Sequence, residues 1–281
     1  MTAETRNETT QRKAKSLPVT GVDCHAHVML VDAPLAAERH SAPQRDIHAE
    51  EYIALLDRHG LSHGVLTQPS FYGTDNSLIL AALAKYPERL RGTAIVSPET
   101  GTEELSRLRE AGIAGIRFNW FKKKSLPDVG AADFQAFLGR IRDAGLHAEL
   151  YLEGARMAGI LPLFAQSGVR LVIDHFGSPE PEQGVECAGF QQVLKYAGFG
   201  QAFVKLSAPY RLGGRDPQPY VDALMATGGP GQLLWASDWP WVSHEEGMSY
   251  QKCIDDLSRW VADEIARTII LCVNPKNVFF L

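Results

Sequence analysis

Short apolar runs alternate with longer amphipathic runs along the chain from about residue 18 onward. The apolar runs are 22–27, 64–70, 90–96, 113–119, 147–153, 169–177, 202–208 and 233–240. Several are continuously apolar rather than alternating, as strands of a parallel sheet buried on both faces tend to be. The runs between them carry helical spacing. In 133–145, Phe134, Phe137, Leu138 and Ile141 fall at i, i+3, i+4 and i+7, and Gly145 is placed to end the helix. Thr74 or Asp75 is placed to cap a helix running to about Tyr86, ahead of Pro87. Thr100 and Glu103 have the spacing of a capping box ahead of 105–111. A strand-then-helix unit repeated eight times predicts a single-domain (β/α)₈ TIM barrel. The main rival, a doubly wound open sheet, usually carries a Gly-rich phosphate turn after its first strand. No GxGxxG follows the first strand here. The longest connection, from Val28 to about Ala49, is expected to lie over the mouth of the barrel.

Length agrees with this picture: the chain has 281 residues, and one α/β barrel takes about 250. The barrel domain is assigned to 18–281, and the polar, mixed-charge residues 1–17 read as a flexible extension without the apolar core of a signal peptide. No stretch approaches the ~18 apolar residues of a membrane span. The net charge of −5 and the absence of a strongly basic segment argue against a nucleic-acid partner. Cys24, Cys187, Cys253 and Cys272 are scattered and form no CxxC pair, so they are expected to be free thiols in a reducing, cytoplasmic setting. A monomer and a small homo-oligomer both remain open.

In a barrel of this kind, reactive residues sit at the C-terminal ends of strands. The first run ends His25-Ala26-His27, which puts both imidazoles on one face. Chance is the competing explanation, because nine histidines make an HxH unremarkable. The sixth run contains Asp174-His175, where His175 becomes a third candidate and Asp174 is expected to face away. The eighth contains Asp238, a carboxylate that is costly to bury without partners, with a turn or helix-cap aspartate as the alternative. Arg117 lies inside the apolar fourth strand and needs an anion, either a substrate carboxylate or a structural ion pair. Lys122, Lys123 and Lys124 follow at once, and Tyr151 and Arg211 belong to the fifth and seventh units.

Taken in order, DCHAHV (23–28), QPSFYGTDNS (68–77), GIRFNW (115–120), IDHFG (173–177), VKLSAPYR (204–211), WASDWP (235–240) and NPKNVF (274–279) carry a resemblance. The chain resembles the 2-pyrone-4,6-dicarboxylate lactonase branch of the amidohydrolase superfamily. The resemblance implies a TIM-barrel hydrolase that opens a small anionic lactone without an obligatory metal, in the breakdown of aromatic compounds. It implies Asp238 as the base that activates water, and His25, His27 and His175 as the groups that polarise the carbonyl and stabilise its oxyanion. It places Arg117, Arg211 and Lys123 on substrate carboxylates, with Ser70 and Tyr151 lining the pocket. Lactone hydrolysis needs such a set: a water, a base, and donors where negative charge develops. The chain also departs from the pattern. Ser178 stands where the relatives usually have Arg, and Ser41 aligns with a Tyr, so the departures fall in the carboxylate-binding shell and the catalytic set is kept. Two other readings remain. One is a hydrolase or decarboxylase dependent on a single divalent metal such as zinc, with His25, His27, His175 and Asp238 as ligands. The other is an anion-binding barrel without turnover.

Overall fold

The structure is a computed structural model, and it describes residues 17–39 and 41–281. The predicted extension therefore lies, apart from an exposed Leu17, outside the described residues. Eight strands follow one another in space in chain order: β1 (Val22–Ala26), β2 (His63–Thr67), β3 (Leu90–Ala94), β4 (Ile113–Asn119), β5 (His147–Tyr151), β6 (Leu171–Ile173), β7 (Ala202–Leu206) and β8 (Leu233–Trp235). Every neighbouring pair from β1 to β8 is parallel. The ring closes just past the strand ends. His27 N–H donates to Trp239 O at 2.9 Å and Asp238 N–H to His25 O at 3.0 Å. These closing bonds set His25 of β1 and His27 just past it beside the aspartate that follows β8. The architecture is the predicted TIM barrel.

Helices fill the outer ring: α1 (Ala49–Arg58), α2 (Ser77–Lys85), α3 (Thr102–Glu110), α4 (Ala132–Asp143), α5 (Gly154–Gln166), α6 (Ala188–Gly198), α7 (Gln218–Gly228) and α8 (Tyr250–Trp260). The apolar stripe read from the sequence is the buried face of α4. Phe134, Phe137, Leu138 and Ile141 are all buried there, and Phe134 and Phe137 join Phe118, Trp120 and Phe164 in a cluster of aromatic edges. Two predicted helix starts need correction. Thr100 and Glu103 form no capping box, because α3 begins one residue later than that register requires, with Gly101 at the N-cap and no side-chain cap. At α2 the N-cap is Asn76, whose amide is instead spent on both Ile95 N–H and Ile95 O, tying the helix to the end of β3. Asp75 Oδ1 still accepts the Ser77 N–H at 3.0 Å.

Every strand but β4 stops short of its predicted run, most of all at β2, β6 and β8, and the backbone turns sharply past several strand ends. His175, Phe176, Ser178, Ala208, Asp238 and Lys122 all have φ between 47° and 61°. Non-glycine residues in this region cost energy and persist where the surroundings force them. All six lie just beyond the C-terminal ends of β4, β6, β7 and β8. One layer below, buried Asp23 on β1 accepts from Ser237 N–H, Ser237 O–H and Tyr250 O–H, which pins the chain immediately before Asp238. The long connection after β1 is held by a Met29–Ile47 bridge and by Tyr72 O–H, which donates to Leu30 O. It brings Ser41 to the mouth, as predicted for this loop. No helix among the described residues is long and apolar enough to cross a membrane, and all four cysteines are free.

Candidate active site

A cavity of about 440 Å³ opens at the C-terminal end of the barrel. His27, His175 and Asp238 form its floor, and Ser70, Arg117, Tyr151 and Arg211 stand in its wall. Seven of the sequence-selected residues thus meet at one opening. His25 is completely buried just beneath them, its ring 4.9 Å from those of both His27 and His175. Three imidazoles face one carboxylate oxygen: Asp238 Oδ1 lies 3.4 Å from His25 Nε2, 3.6 Å from His27 Nε2 and 3.9 Å from His175 Nε2. The second oxygen, Oδ2, accepts from Tyr210 O–H and lies 3.4 Å from Arg211 Nη2. Burial pushes the Asp238 carboxyl up, but His175 and Arg211 lead the neighbouring groups that more than offset this and hold it well below the usual carboxylate range.

The remaining nitrogens of the rings are held from behind. His27 Nδ1 is 2.7 Å from Thr67 O, so it carries a proton, and His175 Nδ1 is 2.8 Å from Ser207 Oγ. Burial lowers the His25 pKa to about 4, against the pull of Asp174, and lowers that of His175 further below its ordinary value despite Asp238. Both rings are therefore neutral at pH 7. Burial raises the Tyr151 phenol to about 12, so it keeps its proton, and its hydroxyl is buried without a partner at the cavity wall.

Residues 22–281 match the family model described as amidohydrolase. The chain belongs to the amidohydrolase family. It is 31% identical over 281 residues to a 2-pyrone-4,6-dicarboxylate hydrolase of Comamonas testosteroni, covering 94% of this chain and 91% of that protein. It is 29% identical to a 4-sulfomuconolactone hydrolase of Rhizobium radiobacter, with the same coverage of 94% and 91%. A solved structure of a probable 2-pyrone-4,6-dicarboxylic acid hydrolase from Acinetobacter baumannii, with citric acid bound, superposes with a TM-score of 0.85 at 32% identity, covering 93% of this chain and 99% of that one.

Three placements in this amidohydrolase depart from the sequence reading. Lys123 does not line the cavity. The chain turns at Lys122, with φ +61° and its N–H on the Glu153 carboxylate, so Lys122 reaches the wall while the Lys123 carbonyl accepts from Arg156. Ser178 also lies outside the lining set, whereas Ser41 is part of it. Asp174 does not face away. Because β6 ends at Ile173 and His175 adopts a left-handed φ, the strict alternation of strand side chains lapses and both residues turn inward.

Asp174 belongs to a fully buried charge layer under the cavity that the sequence reading missed. Lys205 Nζ donates to Glu149 Oε2 at 2.6 Å and lies 3.0 Å from Asp174 Oδ1. Arg117 Nη2 donates to Asp174 Oδ2 and Arg117 Nη1 to Gln68 O, each at 3.0 Å. Burial disfavours the Lys205 ammonium, but Asp174 and Glu149 more than restore it and raise its pKa. Glu149 and Asp174 are held below the usual carboxylate range, since Lys205 and the neighbouring donors outweigh burial and their mutual repulsion. With His25 and His175 neutral, three carboxylates (Asp174, Glu149, Asp238) face three cations (Arg117, Lys205, Arg211), so these six charges cancel. The signal for Glu149 and Lys205 was present: each is a lone charge inside a strand, as Arg117 is.

Proposed function

We propose that this amidohydrolase hydrolyses a small, carboxylated lactone, of the 2-pyrone-4,6-dicarboxylate or muconolactone kind, with Asp238 as general base. The observation that carries the reading is the convergence of three imidazole Nε2 atoms on one oxygen of a buried, ionised aspartate at the floor of an open cavity. A base that stays ionised and a set of aligned donors are what water attack on an ester carbonyl requires. Water held against Asp238 gives up a proton to the carboxylate as its oxygen attacks the lactone carbonyl. The oxyanion forms against Nε2 of His175 and the unpartnered Tyr151 hydroxyl, with His25 Nε2 beneath them facing Asp238 Oδ1. Collapse breaks the ring C–O bond, and the proton on Asp238 passes to the leaving oxygen, which yields the open-chain acid and restores the base. His27 has a more specific part. Its Nδ1–H is committed to Thr67 O, so any lone pair of the ring lies at Nε2, placed to accept the second hydrogen of the water. Arg211 carries the substrate carboxylate. Its head is partly exposed and its Nε has no partner, while most of the Arg117 fork is spent on Asp174 and Gln68.

A second reading is favoured by a specific fit. His25, His27 and Asp238 offer ligand atoms that all lie within 4.8 Å of one another. Tetrahedral zinc with bonds of about 2.0–2.1 Å would space its ligands roughly 3.4 Å apart, close to the 3.4 and 3.6 Å found here. A divalent ion there would supply a water of lowered pKa. The cancelled charge of the site favours the metal-free reading, because a divalent ion would add two uncompensated charges to a buried cluster. Turnover of carboxylated lactones by chelator-treated protein, with elemental analysis alongside, separates the two.

A further inference from the structure

We infer that Lys205 is a positioning residue that holds His25 in the tautomer protonated at Nε2. The inference rests on the metal-free reading above for its consequence in catalysis, but not for its test. Lys205 leaves β7 two residues before Ser207 and is completely buried. Its ammonium lies 2.6 Å from Glu149 Oε2, 3.0 Å from Asp174 Oδ1 and 3.1 Å from His25 Nδ1. An ammonium has three hydrogens and accepts none, so a partner within hydrogen-bond range has to offer a lone pair. The bond to His25 Nδ1 has hydrogen-bond geometry. The competing arrangement would have His25 Nδ1–H donate to Asp174 Oδ1, which lies 3.3 Å away, but it would set that hydrogen against the hydrogens of an ammonium only 3.1 Å from the same nitrogen. The lone pair of His25 therefore faces Lys205, and its proton sits on Nε2. That nitrogen is buried, has no partner, and points toward Asp238 Oδ1 at 3.4 Å. It is a donor aimed from beneath at the Asp238 oxygen on the cavity floor.

The contrast with His27 gives the arrangement its use. Thr67 O draws the proton of His27 to Nδ1, while Lys205 drives that of His25 to Nε2. Two histidines two residues apart thus present opposite faces to the same aspartate, one a lone pair and one a proton. The same lock works against a divalent cation. Ligation through His25 Nε2 would require the proton to move to Nδ1, directly against the ammonium of Lys205. Lys205 thereby links the buried charge layer to the choice between the two readings.

The test is the ¹⁵N spectrum of histidine-labelled protein at pH 7 in the presence of chelator, with His25 assigned by the signal lost in His25→Gln. The wild-type spectrum is expected to show His25 protonated at Nε2. The charge-balanced variant Lys205→Met/Glu149→Gln is expected to move the proton to Nδ1. Its kcat should fall at least tenfold while KM changes less than about threefold, and zinc should bind at least tenfold more tightly than to the wild type. A wild-type His25 protonated at Nδ1 overturns the inference without any variant. So does a variant that keeps the Nε2 proton. Because the spectrum needs no turnover, absence of lactonase activity would count against the proposed function and leave this assignment standing or falling on its own signal.

Discussion

Arg117 Nη2 donates to Asp174 Oδ2 at 3.0 Å across the barrel interior, with both side chains almost fully buried. An arginine inside an apolar strand needs an anion, and here the protein supplies one. Breaking a buried pair by removing one partner leaves an uncompensated charge and costs about 3–5 kcal/mol. We therefore expect Arg117→Met to lower stability by several kcal/mol in chemical denaturation. Arg211→Met is expected to keep the fold and raise KM, with kcat/KM falling about 10- to 150-fold for loss of a charged hydrogen bond to substrate. Equal kinetic losses with equal stability in the two variants would show that both arginines serve the substrate alike.

Asp238→Asn should fold, since Tyr210 and Arg211 still find an oxygen at that position. Loss of a general base costs about 10²–10⁴ in rate. Retention of more than about a tenth of the wild-type kcat would remove Asp238 from the role of base.

The buried histidines make stability depend on pH. His25 has a folded pKa of about 4 against an ordinary 6.5. Between those values the unfolded chain binds a proton that the folded chain refuses, so stability is full above pH 6.5 and is lost as pH falls toward 4. This group alone should cost on the order of 2 kcal/mol between pH 7.5 and pH 5, and His175 acts in the same direction. Denaturation midpoints of wild type and His25→Gln at the two pH values check this. An identical loss in both proteins would show that His25 is not the group responsible.

Much of this was legible in the sequence, for identifiable reasons. Continuous apolar runs mark strands buried on both faces, and the eightfold alternation with amphipathic runs leaves little but a barrel. Position at a strand end then selected His25, His27, His175 and Asp238 without reference to distance. Lys205 and Glu149 were missed because each was read as part of an apolar run, although the argument applied to Arg117 covers them equally. Asp174 was misplaced because strand alternation was carried past Ile173, where the backbone leaves the β region. Lys122 was passed over for Lys123 because a left-handed turn reverses which of two adjacent side chains faces the mouth, and nothing in a run of three lysines signals such a turn.

Specificity should differ from that of the pyrone dicarboxylate hydrolases the chain resembles. Ser41 lines the cavity at a position where a larger donor would narrow it, and Arg211 and Lys122 are the cations placed to meet a substrate anion there. We expect kcat/KM for 2-pyrone-4,6-dicarboxylate to fall short of about 10⁷ M⁻¹s⁻¹ and to be exceeded by a muconolactone-type substrate. Values near the diffusion limit for the dicarboxylate would restore it as the preferred substrate.

The most direct test is turnover by metal-free protein. Purified protein, dialysed against chelator and shown by elemental analysis to hold less than about a tenth of a metal equivalent, is assayed against a panel of carboxylated lactones. The account predicts ring opening at an unchanged kcat, abolished in Asp238→Asn. Activity that disappears on chelation and returns with zinc or manganese would contradict it, and would assign the three imidazoles around Asp238 to holding a metal ion.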